Sequence, residues 1–173
     1  MIQLNFNGAS KGNPGMASYG GIFRDHGGKP LLLFFGSIGW DTNNSAELKG
    51  LWQGLCLAQQ YGFFPIVIEG DSQILINIAN QILQRTPAHK VVSSGRLAAH
   101  LEHIEKWLLT NRAITFQHVK REGNKVADLL ENMGVDSEIV LNASSFDILN
   151  DSSHLQECTD LVQNDAELPD AGD

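Results

Sequence analysis

The spacing of apolar residues changes from a strand period to a helical period at Asn43, and no other feature constrains the fold as much. Before this point, Ile2, Leu4 and Phe6 alternate with polar residues, and two more short apolar runs follow. After it, apolar residues recur at helical spacing as far as Gly62, which predicts one long helix. Shorter segments complete the predicted order βββ-α-β-α-α-β-α. We therefore expect an α/β fold, with helices packed on a mixed sheet.

The remaining elements have bounds that the sequence also predicts. After the long helix we expect a strand at 66–70, a helix capped by Asp71 or Ser72, a helix near 94–111, a strand at 114–118 and a short final helix at 126–133. The glycine-rich segment 8–15 reads as a turn-rich loop between the first two strands.

Charge divides the chain into a body, residues 1–134, and an acidic tail, residues 135–173. The whole chain has a net charge of −8. The body contains twelve Lys and Arg against ten Asp and Glu, a balance of +2, whereas the tail contains ten acidic residues and no basic ones. The tail composition favours disorder, although three short apolar islands within it could dock on the body. The overall negative charge therefore does not argue against a nucleic-acid partner for the body.

Several classes of protein are disfavoured by the composition. The longest apolar run, at 31–35, is too short to cross a membrane, and no export leader follows Met1. Two cysteines cannot form a disulfide scaffold or a complete cysteine-based zinc site. We expect an intracellular, monomeric chain without membrane contact. Because Met1 falls almost at the first strand, an excised domain or a truncated gene product is expected.

Three carboxylates lie where predicted strands end and helices begin. Asp71 ends the strand at 66–70, Glu47 is placed in the first turn of the long helix, and Asp128 opens the final helix. Carboxylates that converge from separate elements favour a hard cation such as Mg²⁺. The structural alternative is that each one only complements the dipole at a helix N-terminus.

Four blocks of sequence follow one another in a distinctive order: NFNGASKGNPG (5–15), TNNSAELKGLWQGL (42–55), IVIEGDS (66–72) and FQHVKREGNKVADLL (116–130). Together they resemble the ribonuclease H domain, in particular the form found in plant proteins and in plant non-LTR retrotransposons. The resemblance covers about residues 2–134. It implies the ribonuclease H-like fold, with a five-stranded mixed sheet and flanking helices, which agrees with the order read from periodicity.

The resemblance also implies an activity and a metal site. The family cleaves the RNA strand of RNA–DNA hybrids with two Mg²⁺ ions, for which Mn²⁺ can substitute, held by four carboxylates. Glu47, Asp71 and Asp128 match three of these positions, and the first aspartate of the family falls on Asn7. A neutral amide offers one carbonyl oxygen where the family has two charged oxygens. We therefore predict that this chain binds hybrid but cleaves it very poorly.

The substitution at Asn7 leaves alternatives open. It is either an engineered, isosteric change or a natural change in a retroelement copy. The main hypothesis is a hybrid ribonuclease from a reverse transcriptase polyprotein, impaired by Asn7. One competing class is a pseudo-nuclease that holds hybrid or RNA without cutting it. Another is an interaction domain that binds a basic partner through the acidic tail.

The resemblance assigns substrate contacts as well. Asn13, Asn43 and Asn44 match positions that contact 2′-hydroxyl groups and the minor groove, and the backbone amides of Gly8, Ala9 and Ser10 are expected to do the same. The alternative for Asn43 and Asn44 is that they are loop and cap residues.

Three further expectations concern product release, His118 and a basic protrusion. The resemblance makes Arg121 the candidate for product release, because plant and archaeal-type members have arginine in this loop. His118 is read as a strand residue with a structural hydrogen bond. The basic helical protrusion that bacterial members of the family carry is expected to be absent between residues 84 and 95, so hybrid binding should be weaker than theirs and sensitive to salt.

Overall fold

The computed structural model describes residues 1–85, 96–110, 113–125, 127 and 139–142. The strands are β1 (Ile2–Gly12), β2 (Gly15–Arg24), β3 (Pro30–Asp41), β4 (Ile66–Gly70), β5 (Ile114–His118) and β6 (Ile139–Asn142). The helices are α1 (Asn43–Tyr61), α2 (Gln73–Leu83) and α3 (Arg96–Thr110), and a 3-10 turn covers Arg121–Gly123. The predicted final helix at 126–133, with Asp128, lies outside the described residues except for Ala127.

The sheet is mixed and has β1 near its centre. The strand order is β5-β4-β1-β2-β3-β6. β1 pairs parallel with β4 on one side and antiparallel with β2 on the other, and β4 pairs parallel with β5. The predicted mixed α/β architecture is therefore confirmed. The parallel group β1, β4 and β5 brings the C-terminal ends of three strands to the same edge of the sheet.

Two differences from the expected strand pattern stand out. Residues 8–12 continue β1 instead of forming a loop, and Gly12 pairs with Gly15 to close a tight hairpin. The prediction of a turn-rich loop was wrong because small residues are normally read as loop formers, whereas here they pair with β2. The second difference is β6, which comes from the segment assigned to the tail and pairs antiparallel with β3. The uncharged run Ile139-Val140-Leu141 forms most of this strand.

A continuous apolar core fills the space between the sheet and the helices. Leu4 and Phe6 of β1 are fully buried, as are Leu51 and Leu55 of α1. Leu4 and Phe6 thus lie in the core together with α1, as predicted, but Asn5 and Asn7 between and after them are buried as well, so the burial of β1 does not alternate. In the described part of the chain, no helix is both long enough and apolar enough to cross a membrane.

Candidate active site and nucleic-acid interface

Asn7 and Asp71 lie level with each other at the edge where β4 ends. The parallel register of β1 and β4 pairs Ile2 with Ile66 and continues, residue for residue, to Asn5 and Glu69. The pairing ends there, and extending the same register by two steps would set Asn7 opposite Asp71, which directly follows β4. The strand pairing therefore brings together two of the positions that the resemblance assigned to one metal site.

Glu47 is brought to the same edge by a close approach between α1 and β1. A Cβ atom on Gly8 would lie 2.1 Å from the carbonyl carbon of Ala46 and 2.3 Å from the backbone nitrogen of Glu47, so no larger residue fits there. A Cβ atom on Gly50 would lie 2.8 Å from the carbonyl oxygen of Asn7. Glycine at these two positions lets the backbone of α1 rest on β1 beside Asn7.

The three side chains are partly withdrawn from solvent. Asn7 is 4% exposed, and Glu47 and Asp71 are half-buried. All three take part in other interactions within the chain. One oxygen of each carboxylate, Oε2 of Glu47 and Oδ1 of Asp71, is buried and accepts no hydrogen bond. The described part of the chain contains no group of three or more His, Cys, Asp or Glu that could hold a metal ion. Asp128, the remaining predicted carboxylate, is not among the described residues.

Neither Glu47 nor Asp71 lies in the first turn of a helix. The sequence had predicted Glu47 in the first turn of α1. It lies in the second turn, because α1 already begins at Asn43. Ser72 caps α2, so Asp71 precedes that helix. Neither helix carries an acidic residue in its first turn. A place in the first turn of a helix therefore does not account for Glu47 or Asp71.

A network of polar side chains connects β4 to β1, two residues before Asn7 and Asp71 in each segment. The carboxylate oxygen Oε2 of Glu69 accepts hydrogen bonds from Gln3 Nε2 at 2.7 Å and from Asn5 Nδ2 at 2.8 Å. The buried guanidinium of Arg24 donates to Asn5 Oδ1 at 2.9 Å. Since this network joins β1, β2 and β4, it stabilises the register that sets Asn7 beside Asp71.

Asn124 is a residue of the site that sequence reasoning missed. It is 1% exposed, and its Nδ2 donates to the carbonyl oxygen of Phe6 at 2.8 Å, across 118 positions of sequence. Phe6 directly precedes Asn7, so Asn124 anchors the segment after β5 onto β1 at the site. An asparagine between a strand and a helix is ordinarily a turn or cap residue, and only its place in the block 116–130 signalled more.

The predicted substrate-contact residues cluster where the β1–β2 hairpin meets the start of α1. Asn43 Oδ1 accepts from the backbone nitrogen of Ser10 at 2.7 Å, and Asn13 Oδ1 accepts from the backbone nitrogen of Asn43 at 3.1 Å. Asn44 is exposed in the first turn of α1. The cap reading of Asn43 and Asn44 was wrong, because Thr42 is the N-cap and accepts from the backbone nitrogen of Ser45.

Gly8, Ala9 and Ser10 lie in consecutive positions on β1, immediately after Asn7. Gly8 is buried under α1, whereas Ala9 and Ser10 are half-buried. The Ser10 amide already donates to Asn43. These residues therefore connect the metal-site position to the hairpin.

The two remaining candidates lie near the end of β5. Arg121 is exposed in the 3-10 turn. His118 is the last residue of β5, and its Nε2 lies 3.2 Å from the carbonyl oxygen of Asp71. His118 therefore does make a structural hydrogen bond, and its partner is a site residue. A basic protrusion was expected to be absent between residues 84 and 95, and all of this segment except residues 84 and 85 lies outside the described residues.

Several of the known proteins similar to this chain bear the name ribonuclease H. The family model described as "Reverse transcriptase-like" matches residues 5–134. A "Putative ribonuclease H protein" of Arabidopsis thaliana is 33% identical over 160 residues, which cover 91% of this chain and 24% of that protein. Ribonuclease HI of Halobacterium salinarum is 31% identical over 135 residues, which cover 78% of this chain and 64% of that protein. The chain thus spans less than two thirds of each of these relatives.

A solved structure shares the fold at appreciable identity. The crystal structure of LC11-RNase H1 in complex with an RNA/DNA hybrid matches with a TM-score of 0.67 and 27% sequence identity. The match covers 79% of this chain and 97% of that one. The ribonuclease H-like fold expected from the sequence is therefore confirmed.

Proposed function

The chain belongs to the ribonuclease H domain family, and from this premise we propose that it acts on RNA–DNA hybrids. The proposed reaction is endonucleolytic hydrolysis of the RNA strand of the hybrid. It is proposed to use two metal ions and to be impaired by Asn7. The observation that carries the proposal is the convergence of Asn7, Glu47 and Asp71 at one sheet edge, through the β1–β4 register and the close approach at Gly8.

The residues present fit a hard divalent cation in part. Glu47 and Asp71 supply the carboxylate oxygens that Mg²⁺ and Mn²⁺ prefer, and Asp128 is proposed as a third carboxylate. Asn7 fits less well, since it supplies one neutral oxygen and its NH₂ group repels a cation. When bound, two such ions would activate a water molecule and stabilise the departing 3′ oxygen of the RNA strand.

The roles of the other residues follow from their places around this site. Asn13, Asn43 and Asn44, with the backbone of Gly8, Ala9 and Ser10, are proposed to hold the hybrid at its 2′-hydroxyl groups and minor groove. Such contacts recognise the shape of the hybrid and its sugars, so binding does not depend on base sequence. Arg121, exposed after β5, is proposed to assist product release.

The test is strand and duplex selectivity. The chain and its Asn7→Asp variant are incubated in Mn²⁺ with four end-labelled substrates: an RNA–DNA hybrid, duplex DNA, duplex RNA and single-stranded RNA. We expect the Asn7→Asp variant to cut only the RNA strand of the hybrid, and both forms to bind the hybrid in anisotropy titrations. An Asn7→Asp variant that cuts single-stranded RNA equally well, or that does not bind hybrid, would contradict the proposal.

A second candidate function is a hybrid-binding module that does not cleave. It is favoured by Asn7 itself, a buried neutral residue at the position where the family has a charged ligand. The same experiment separates the two functions. Tight binding of hybrid without cleavage by either form would support the binding module, because restoring the carboxylate would then have had no effect.

We also propose that the chain works as one domain of a longer protein, such as a reverse transcriptase polyprotein. This is supported by the Arabidopsis relative, of which the chain matches only 24%. The domain itself is proposed to be monomeric. Determining the mass of the native protein in a tissue extract, with an antibody against the body, tests the first point. Size-exclusion chromatography with light scattering tests the second.

A further inference from the structure

We propose that His118 is a positioning residue that fixes the backbone of Asp71 and thereby the affinity of the site for divalent metal ions. The inference rests on the proposed function, because it assigns Asp71 to a metal site. It starts from the end of the β4–β5 pair. Gly70 and His118 form the last pair of that ladder, and the backbone nitrogen of Val119 donates to the carbonyl oxygen of Gly70 at 3.0 Å.

The next carbonyl group along the chain belongs to Asp71, beyond the end of the ladder. Its partner is a side chain, the imidazole of His118, with Nε2 at 3.2 Å from the oxygen. Because a carbonyl oxygen has no proton to give, Nε2 must be the donor. The imidazole thus extends the hydrogen-bond ladder by one step, past the last strand residue.

This contact matters because Asp71 lies in a very short connection. Only Asp71 and Ser72 separate β4 from α2, and the hydroxyl of Ser72 accepts from the backbone nitrogen of Leu75 at 3.3 Å as the helix cap. The cap fixes one side of the connection, and His118 fixes the carbonyl on the other side. The backbone held between them sets the position from which the Asp71 side chain extends.

The chemistry of the metal ion makes such support consequential. Mg²⁺ demands a nearly ideal octahedral arrangement of oxygen ligands, so a small rotation of one ligand weakens binding. Removal of an outer partner that orients a metal ligand typically costs about 10- to 100-fold in metal affinity or activity. His118 is exposed, so its loss should leave the core packing intact.

The experiment uses the full chain carrying Asn7→Asp and measures Mn²⁺ affinity by electron paramagnetic resonance. Three changes are compared: His118→Phe, which removes the donor, His118→Asn, which is too short to reach the carbonyl, and His118→Gln, whose Nε2 has a similar reach. His26→Phe, in the exposed β2–β3 turn, is the matched control. Hybrid cleavage at varied Mg²⁺ and thermal unfolding are recorded in parallel.

We expect the Phe and Asn variants to bind Mn²⁺ about tenfold more weakly, and the Gln variant to stay within about threefold of the parent. The unfolding midpoints should agree within about 4 °C, and the control should match the parent throughout. Unchanged Mn²⁺ affinity in the Phe variant, or equal losses in Gln and Phe, would overturn the proposal. If no form cuts hybrid while Mn²⁺ affinity follows the expected pattern, the proposed function fails and the positioning role stands.

Discussion

The side-chain oxygen of Asn43 accepts a hydrogen bond from the backbone nitrogen of Ser10 at 2.7 Å and so joins residues 33 positions apart in the sequence. Asn13 adds a second link by accepting from the backbone nitrogen of Asn43. The β1–β2 hairpin and the start of α1 are therefore held together before any substrate arrives. Such an arrangement lowers the ordering cost of binding, which is how preorganisation raises affinity.

Asn43→Ala should therefore weaken hybrid binding about fivefold, because the link to the hairpin is lost together with about 1 kcal/mol of stability. Asn43→Asp should keep the unfolding free energy, since a carboxylate oxygen can still accept from Ser10, but should weaken hybrid binding through charge repulsion. Fluorescence anisotropy and urea unfolding give the two quantities. Equal hybrid affinity in Asn43→Ala and the parent would show that the link has no part in binding.

Gly8→Ala should destabilise the chain by more than about 4 kcal/mol, because its Cβ atom would overlap the backbone of Ala46 and Glu47 and neither neighbour can move alone. Gly123→Ala is the control, since its nearest neighbour, Val119, is at an ordinary contact distance of 3.9 Å. Urea denaturation of both variants provides the comparison. If Gly8→Ala proves as stable as Gly123→Ala, α1 does not rest on β1 as described.

Asn124→Ala should cost about 1–3 kcal/mol, because the carbonyl group of Phe6 would lose its buried donor. Asn77, an exposed asparagine of α2, offers the matched change, and Asn77→Ala should stay within about 0.5 kcal/mol of the parent. Both values come from denaturant unfolding monitored by circular dichroism. Two variants of equal stability would argue against an anchoring role for Asn124.

Asp25 should titrate below its ordinary value of 3.8, because the backbone amides of Lys29 and Gly27 donate to its carboxylate and lower its pKa. Because the folded pKa lies below the unfolded one, this carboxylate stabilises the turn above about pH 3.8, and the contribution is lost as pH falls through the folded pKa. An NMR titration of the Asp25 carboxyl carbon measures it. A pKa at or above 3.8 would contradict the turn geometry.

The sequence predicted those elements whose apolar pattern has one dominant period. β1, α1 and β5 were recognised in this way, and α1 begins at Asn43, where the period changes. The residues around them were harder to assign, because their conformation depends on partners distant in sequence. Residues 8–12 read as a loop, since only the paired β2 strand and the overlying α1 make an extended conformation favourable there.

For the candidate site, too, the residues themselves could be predicted from the sequence, whereas the contacts that support them could not. The positions of Glu47 and Asp71 next to helix starts and strand ends marked them as candidates, and the resemblance added Asn7. The structure brings the backbone of all three to one edge of the sheet. The hydrogen bonds that support them, from Asn124 to Phe6 and from His118 to Asp71, join residues far apart in sequence. No local pattern encodes such a pairing, so these two roles became visible only in the folded chain.

The most direct test of the central claim is the initial rate of RNA-strand cleavage in a hybrid at saturating Mg²⁺, compared between the chain and its Asn7→Asp variant. Restoring a charged ligand should raise the rate by at least about a hundredfold, and adding Asp71→Asn should abolish the gain. Equal rates for the chain and Asn7→Asp would contradict the claim that Asn7 limits cleavage at this site.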